Sequence, residues 1–193
     1  MIYYSPDLRK IAFLILVITA ELISFMQPAF GQVDEYLVKA VWFEKFTRFI
    51  EWPPESNVND AEKPFIIGVI GKNPFENTLE KIYATQKIKN KNVEIIKISG
   101  ISQISQVENC SLLFISQSEK DNIPKIVSTL KDKPVLLISD VDGAAARGVH
   151  INFYTSQSKI LFEINESASR NARFYISFRL LNVARLVEPI KGQ

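Results

Sequence analysis

Six side chains in this sequence set charge beside aromatic or apolar neighbours in a way that could hold a protein partner or a small anion. Glu44, Arg48 and Trp52 are spaced four apart in the segment Ala-Val-Trp-Phe-Glu-Lys-Phe-Thr-Arg-Phe-Ile-Glu-Trp-Pro, residues 40–53. On a helix that spacing puts Glu44 in reach of Arg48, and Arg48 over the Trp52 indole if the last turn stays helical before Pro53. Glu163 alternates with Phe162 and Ile164, so it faces away from them, towards solvent or towards the arginines that follow. Arg179 and Arg185 belong to those closing arginines, with Arg170 and Arg173. Guanidinium groups grip carboxylates and phosphates through paired N–H donors, which suits an anionic ligand or an acidic surface. The alternative for Glu44 and Arg48 is an ordinary surface ion pair worth a few tenths of a kcal/mol. Both readings stand at this point.

Catalytic signatures are sparse. His150 is the only histidine and Cys110 the only cysteine, so a standard zinc ligand set is not available. There is no Gly-x-Ser-x-Gly elbow, and a serine triad would have to recruit His150 from mid-strand. His150 therefore reads as a half-exposed strand residue, and Cys110, at the head of Cys-Ser-Leu-Leu-Phe-Ile, as a buried small hydrophobe. Gly68-Val-Ile-Gly71 lacks the third glycine of a dinucleotide fingerprint and reads as a tight strand-to-helix turn. Lys87, Lys89 and Lys91 read as a solvated turn. A net charge of +2 gives no basis for nucleic-acid binding. No metal or cofactor is expected.

These side chains need a scaffold, and 193 residues at 47% hydrophobic content suffice for one compact domain. The opening helix, which includes residues 40–53, buries Val38, Trp42, Phe43, Phe46, Phe49 and Ile50 on one broad arc. Apolar runs at Phe65–Ile70, Val93–Ile98, Leu112–Ile115 and Val135–Ile138 read as strands. Short helices carrying Phe75, Leu79 and Ile82, then Ile123, Ile126, Val127 and Leu130, separate them, and such alternation implies parallel pairing. Val149–Tyr154 and Lys159–Ile164 read as an antiparallel hairpin, with Asn165 capping a following helix. A closing helix is expected to present Ile176, Leu180, Val183, Ala184 and Val187 on one face, and Arg179, Asn182 and Arg185 on its polar arc. The predicted fold is an α/β sandwich of one domain, 32–193, its central sheet mostly parallel with a C-terminal antiparallel hairpin and flanking helices.

Residues 1–31 have the layout of a secretory signal. Arg9 and Lys10 precede the apolar run Ile11 to Ala20, and Pro28, Ala29 and Gly31 form a small-x-small pattern before Gln32. The run is short, and Glu21 interrupts it before a membrane span could form. Cleavage after Gly31 would leave a periplasmic chain. With one cysteine and no intrachain disulfide, its stability must come from its core.

Taken in order, these segments resemble the YfiR-like family of exported bacterial proteins. The resemblance rests on the 40–53 helix, Phe-Ile-Ile-Gly-Val-Ile-Gly-x-x-Pro-Phe, Cys-Ser-Leu-Leu-Phe-Ile-Ser and Pro-Val-Leu-Leu-Ile-Ser-Asp. Gly-Val-His-Ile-Asn-Phe, Lys-Ile-Leu-Phe-Glu-Ile-Asn and Ile-Ser-Phe-Arg-Leu-Leu-Asn-Val-Ala-Arg-Leu-Val complete it. It implies a non-enzymatic periplasmic regulator that binds the periplasmic domain of an inner-membrane signalling protein and represses a diguanylate cyclase. It also implies a homodimer and a link to small-molecule binding. Two departures stand out: the lone Cys110 cannot give the paired cysteines of the best-known member, and Val149 replaces a glycine found in many relatives.

Overall fold

The computed structural model describes residues 35–188, so the expected signal segment, 1–31, lies outside the described residues. The first element is a helix, α1 (Glu35–Thr47), with Ala40, Phe43 and Phe46 buried. It stops at Thr47 and does not run on to Pro53. Thr47 Oγ1 turns back onto the Glu44 carbonyl, and Phe49 N–H bonds the Phe46 carbonyl in a tightened last turn. The chain then extends as β1 (Ile50–Glu51), which pairs antiparallel with β8 (Tyr175–Ile176). Two effects end the helix early: Pro53 disfavours the helical conformation at Trp52, and β8 offers Ile50 a strand partner.

The main sheet has seven strands in the order β3-β2-β4-β5-β6-β7-β9. Five pair in parallel: β2 (Phe65–Ile70), β3 (Val93–Ile98), β4 (Leu112–Ile115), β5 (Leu136–Ser139) and β6 (Ile151–Ser156). β7 (Lys159–Ile164) returns antiparallel to β6, and β9 (Arg185–Leu186) runs parallel to β7. The β6–β7 hairpin turns on Gln157 and Ser158, both left-handed, the conformation whose twist matches the flanking strands. The expected strand set, parallel core and terminal hairpin are all present.

Alternation along the strands divides the core in two. Phe65, Ile67, Val69, Leu112, Phe114, Leu136, Ile138, Ile151, Phe153, Phe162 and Ile164 face α1 and the short α2 (Thr78–Tyr83). Ile70, Leu113, Ile115 and Leu137 face the other way, against α3 (Ile123–Leu130). The first face is aromatic: Phe46 meets Phe153 and Phe162 at ring separations of 5.6 and 5.0 Å, and Phe75 meets Phe114 at 4.8 Å. The Phe46–Phe162 and Phe75–Phe114 contacts are edge-on, which adds to the stabilisation from burial. The apolar side chains of the second face are aliphatic apart from Cys110.

The end of the chain departs from the expected closing helix. Asn165 caps α4 (Glu166–Asn171) by accepting from the Ala168 N–H, as its type predicts. Beyond β8, however, α5 (Phe178–Leu181) has only four residues before the chain re-enters the sheet as β9. Arg185 and Leu186 pair with Glu163 and Ile164, so the free edge of β7 takes up as a strand a segment whose periodicity suits a helix. Leu180 is buried while Val183 is 67% exposed, so the expected single apolar face does not exist.

Candidate functional site

Two separate clusters take up the charged residues singled out in the sequence. The first is a cleft of about 360 Å³ where the end of α1 meets the β1–β8 pair, with Arg48, Glu51, Lys89, Tyr175 and Arg179 among its walls. Arg48 Nε donates to Glu44 Oε1 at 2.6 Å, the expected pairing one helical turn apart, while most of the Arg48 side chain stays in solvent. Glu44 itself is largely covered. Lys89 and Arg179 form no ion pair among the described residues. Burial pushes the Lys89 ammonium pKa down, with nearby Glu51 opposing it. Lys89 reaches the cleft from a turn with Lys89 and Asn90 both left-handed, closed by the Ile88–Lys91 bridge. Cations outnumber carboxylates in this cleft, as an anionic group would require.

Trp52 is not part of that wall. It is 6% exposed, its indole N–H donates to the Ser111 carbonyl at 3.0 Å, and its ring lies edge-on to Phe65 and Phe174. The expected stacking of Arg48 on Trp52 fails because the helix ends five residues earlier; Lys89 lies over the ring instead. Trp52 is a core residue.

The second cluster is a polar ladder across three strands. Asn152 on β6, Glu163 on β7 and Arg185 on β9 stand in register. Asn152 Nδ2 donates to Glu163 Oε1 at 3.2 Å, and Arg185 donates to Glu163 Oε2 through Nε at 3.0 Å and through Nη2. The Arg185 guanidinium also sits 4.0 Å from the centre of the Tyr154 ring. Glu163 turns away from Phe162 and Ile164 towards an arginine, as the alternation predicts, but it is buried at 4% exposure. Arg185 arrives from a strand and not from a helix, so it shares no face with Arg179. Its charge is already neutralised, and the ladder ties β9 to the sheet. The structure thus brings Arg48 and Arg179 together, and Glu163 and Arg185 together, as two places.

Sequence reasoning missed a third cluster. Lys39, 2% exposed within α1, donates to Asp140 Oδ2 at 2.6 Å and pairs with Glu35 at 2.6 Å. The Tyr36 hydroxyl donates to the same Asp140 oxygen at 3.0 Å, and Gln117 Nε2 donates to the Asp140 carbonyl at 2.6 Å. Burial first, then Asp140, pushes the Tyr36 phenol pKa up. Asp140 and Gln117 follow β5 and β4, at the sheet edge where open α/β folds place ligands. Next to them the crevice between β2 and β4 is filled. Ser118 Oγ accepts from the Lys72 N–H at 2.8 Å, and Gly71 (φ 89°) has no room for a Cβ beside Ser116 and Ser118. The only sequence signal was a lysine inside an apolar helix.

Two bland readings also change. His150 is buried, not half-exposed: its Nδ1 accepts from the Leu137 N–H at 3.0 Å, and burial drives its pKa down to about 3. Lys91 is buried as well, donating to the carbonyls of Asp60 and Lys63, so the Lys87–Lys91 turn is solvated only in part. Cys110 is a buried thiol whose pKa burial pushes up to about 12.

One family model, described as YfiR/HmsC-like, matches residues 36–185. The chain belongs to the YfiR/HmsC-like family. Among solved structures it is similar to a conserved domain protein from Vibrio cholerae O1 biovar El Tor str. N16961, at 10% identity and a TM-score of 0.55. That similarity covers 79% of this chain and 60% of the Vibrio chain, and it concerns the fold. No curated protein matches. In this YfiR/HmsC-like chain, no helix among the described residues is long and apolar enough to cross a membrane.

Proposed function

We propose that this protein is an exported, non-enzymatic regulator that binds the periplasmic domain of an inner-membrane signalling protein and holds a diguanylate cyclase in check. Family membership supports this reading, as does the layout of the sequence before residue 32. The observation that carries it is the closing segment, where Tyr175 is 62%, Phe178 71%, Val183 67% and Leu186 54% exposed. Four large apolar groups within twelve residues of sequence, interleaved with Arg179 and Arg185, form the kind of surface a partner covers. Arg48 extends it through the shared cleft with Tyr175 and Arg179.

The test is a photo-crosslinking residue at position 178 in cells, with cyclic di-GMP measured alongside. Crosslinking to a membrane protein is expected. Phe178→Asp with Arg179→Glu should abolish the crosslink and raise cyclic di-GMP at unchanged protein level. If both readouts stay at wild-type values, the reading is wrong.

The excess of cations in the Arg48–Arg179 cleft favours a second reading, a periplasmic module for a small anionic ligand. An anion at 100 times its dissociation constant would stabilise the fold by about 2.7 kcal/mol. A thermal-shift screen of carboxylates and phosphates that finds no compound sensitive to Arg179→Ala removes this reading and leaves the first intact.

A further inference from the structure

On the aliphatic side of the sheet a cavity of about 650 Å³ opens between α3 and α4. Its size lies within the range of small-molecule sites. Val127 and Leu130 of α3, Ala168 of α4 and Leu137 of β5 give it apolar walls, and His150 contributes to its floor. It shares no residue with the Arg48–Arg179 cleft.

The floor holds an unmet donor. His150 is 5% exposed, and its Nδ1 lone pair is taken by the Leu137 N–H, so the ring hydrogen sits on Nε2. Among the described residues nothing accepts from Nε2. Nor is Nε2 one of the sealed, unpaired polar atoms, which are Glu80 Oε2 and Asn152 Oδ1. The little surface that His150 keeps therefore includes this N–H edge, at the cavity it lines. A donor at this depth has little access to water, so a molecule that brings an acceptor to it gains a well-shielded hydrogen bond.

We infer that this cavity binds a small, largely apolar molecule carrying an uncharged hydrogen-bond acceptor, such as a carbonyl oxygen or ring nitrogen, at its buried end. The apolar walls set the body of the ligand. The acceptor must be neutral because a carboxylate at this depth would lose its hydration and meet only an uncharged imidazole. Two cations line the cavity: Lys131 is exposed to solvent, away from its buried end, and Arg147 offers little compensation, since its Nε, Nη1 and Nη2 already donate to the carbonyls of Gly143, Lys120 and Asp142.

Quinoline and naphthalene form a matched pair of probes, alike in shape and differing in one ring acceptor. Titrated at neutral pH into the ¹⁵N-labelled protein, quinoline should shift the His150 ring signals and the Val127 and Ala168 amides. It should bind about tenfold more tightly than naphthalene, as one hydrogen bond to a buried donor allows. His150→Asn keeps an oxygen to accept from the Leu137 N–H but loses Nε2, and it should erase the preference. Ala168→Leu, which fills the cavity from its wall, should remove binding of both. Equal affinity of the two probes for the wild-type protein overturns the inference whether or not the variants fold. So does quinoline binding that leaves the His150 signals in place.

Discussion

The two faces of the sheet are made by the same strands yet differ in how they are closed. Under α1, interlocking rings fill the space, and a single helix supplies Phe43 and Phe46 to seal it. Under α3 the apolar side chains are mostly aliphatic, and Ala146 and Ala168 line the cavity that opens there. The polar residues of β6 and β7, His150, Asn152 and Glu163, also point to this second face, alternating with Ile151, Phe153 and Phe162. Aromatic packing closes one side. Small residues beside buried polar groups leave the other side able to accept something.

The largest expected effect tests that contrast directly. Phe46→Ala removes a fully buried ring in contact with Trp42, Phe153 and Phe162, and should cost about 3–5 kcal/mol in urea denaturation. Leu130→Ala, on a wall that already borders a cavity, should cost about 2 kcal/mol, the low end for such a change. Equal losses would mean that the second face is packed as tightly as the first.

The polar ladder offers a smaller, directional effect. Arg185→Ala leaves the Glu163 carboxylate buried beside Asn152 with no cation, at a cost of about 1–3 kcal/mol. Glu163→Gln leaves a half-exposed arginine that water can solvate and should cost less than about 1 kcal/mol. The reverse order in thermal melts would show that Glu163 is not the buried partner.

His150 adds a pH dependence. Its folded pKa, about 3, lies below the ordinary value of 6.5, so the folded chain refuses a proton that the unfolded chain accepts. Stability from this group is full above pH 6.5 and falls as pH drops towards 3, with a slope approaching about 1.4 kcal/mol per pH unit. Carboxylates titrate in the lower part of that window, so the measure is the difference between wild type and His150→Asn. Identical pH profiles would place the imidazole in water. The mildest test concerns Cys110, whose raised pKa predicts slow alkylation of the native protein and rapid alkylation in urea.

Much of the scaffold was legible because each strand is an apolar run bounded by turn residues, and apolar runs separated by short helices have few other ways to pack. The exposure of single residues was harder to read. His150 alternates with Val149 and Ile151, which in a one-sided sheet would put it in solvent, but here both faces are covered. Where α1 ends and where β9 begins depend on strand partners far along the chain, so local periodicity carried Trp52 and Arg185 into helices. The sequence shows Lys39 inside an apolar helix but not what it meets, because its partner Asp140 stands 101 residues away. The two-residue repeat was enough to turn Glu163 away from Phe162 and Ile164, but not to show its burial, which depends on Arg185 twenty-two residues later.

The aromatic seal has a consequence for how the chain matures. Phe46 is made early, but Phe153 and Phe162, the rings that close over it, belong to the hairpin near the other end. Closure between such distant segments must overcome loop entropy and comes late in folding. A growing chain that stops short of the hairpin leaves Phe46 and Trp42 uncovered, although Phe43 can already meet Phe75 and Phe114.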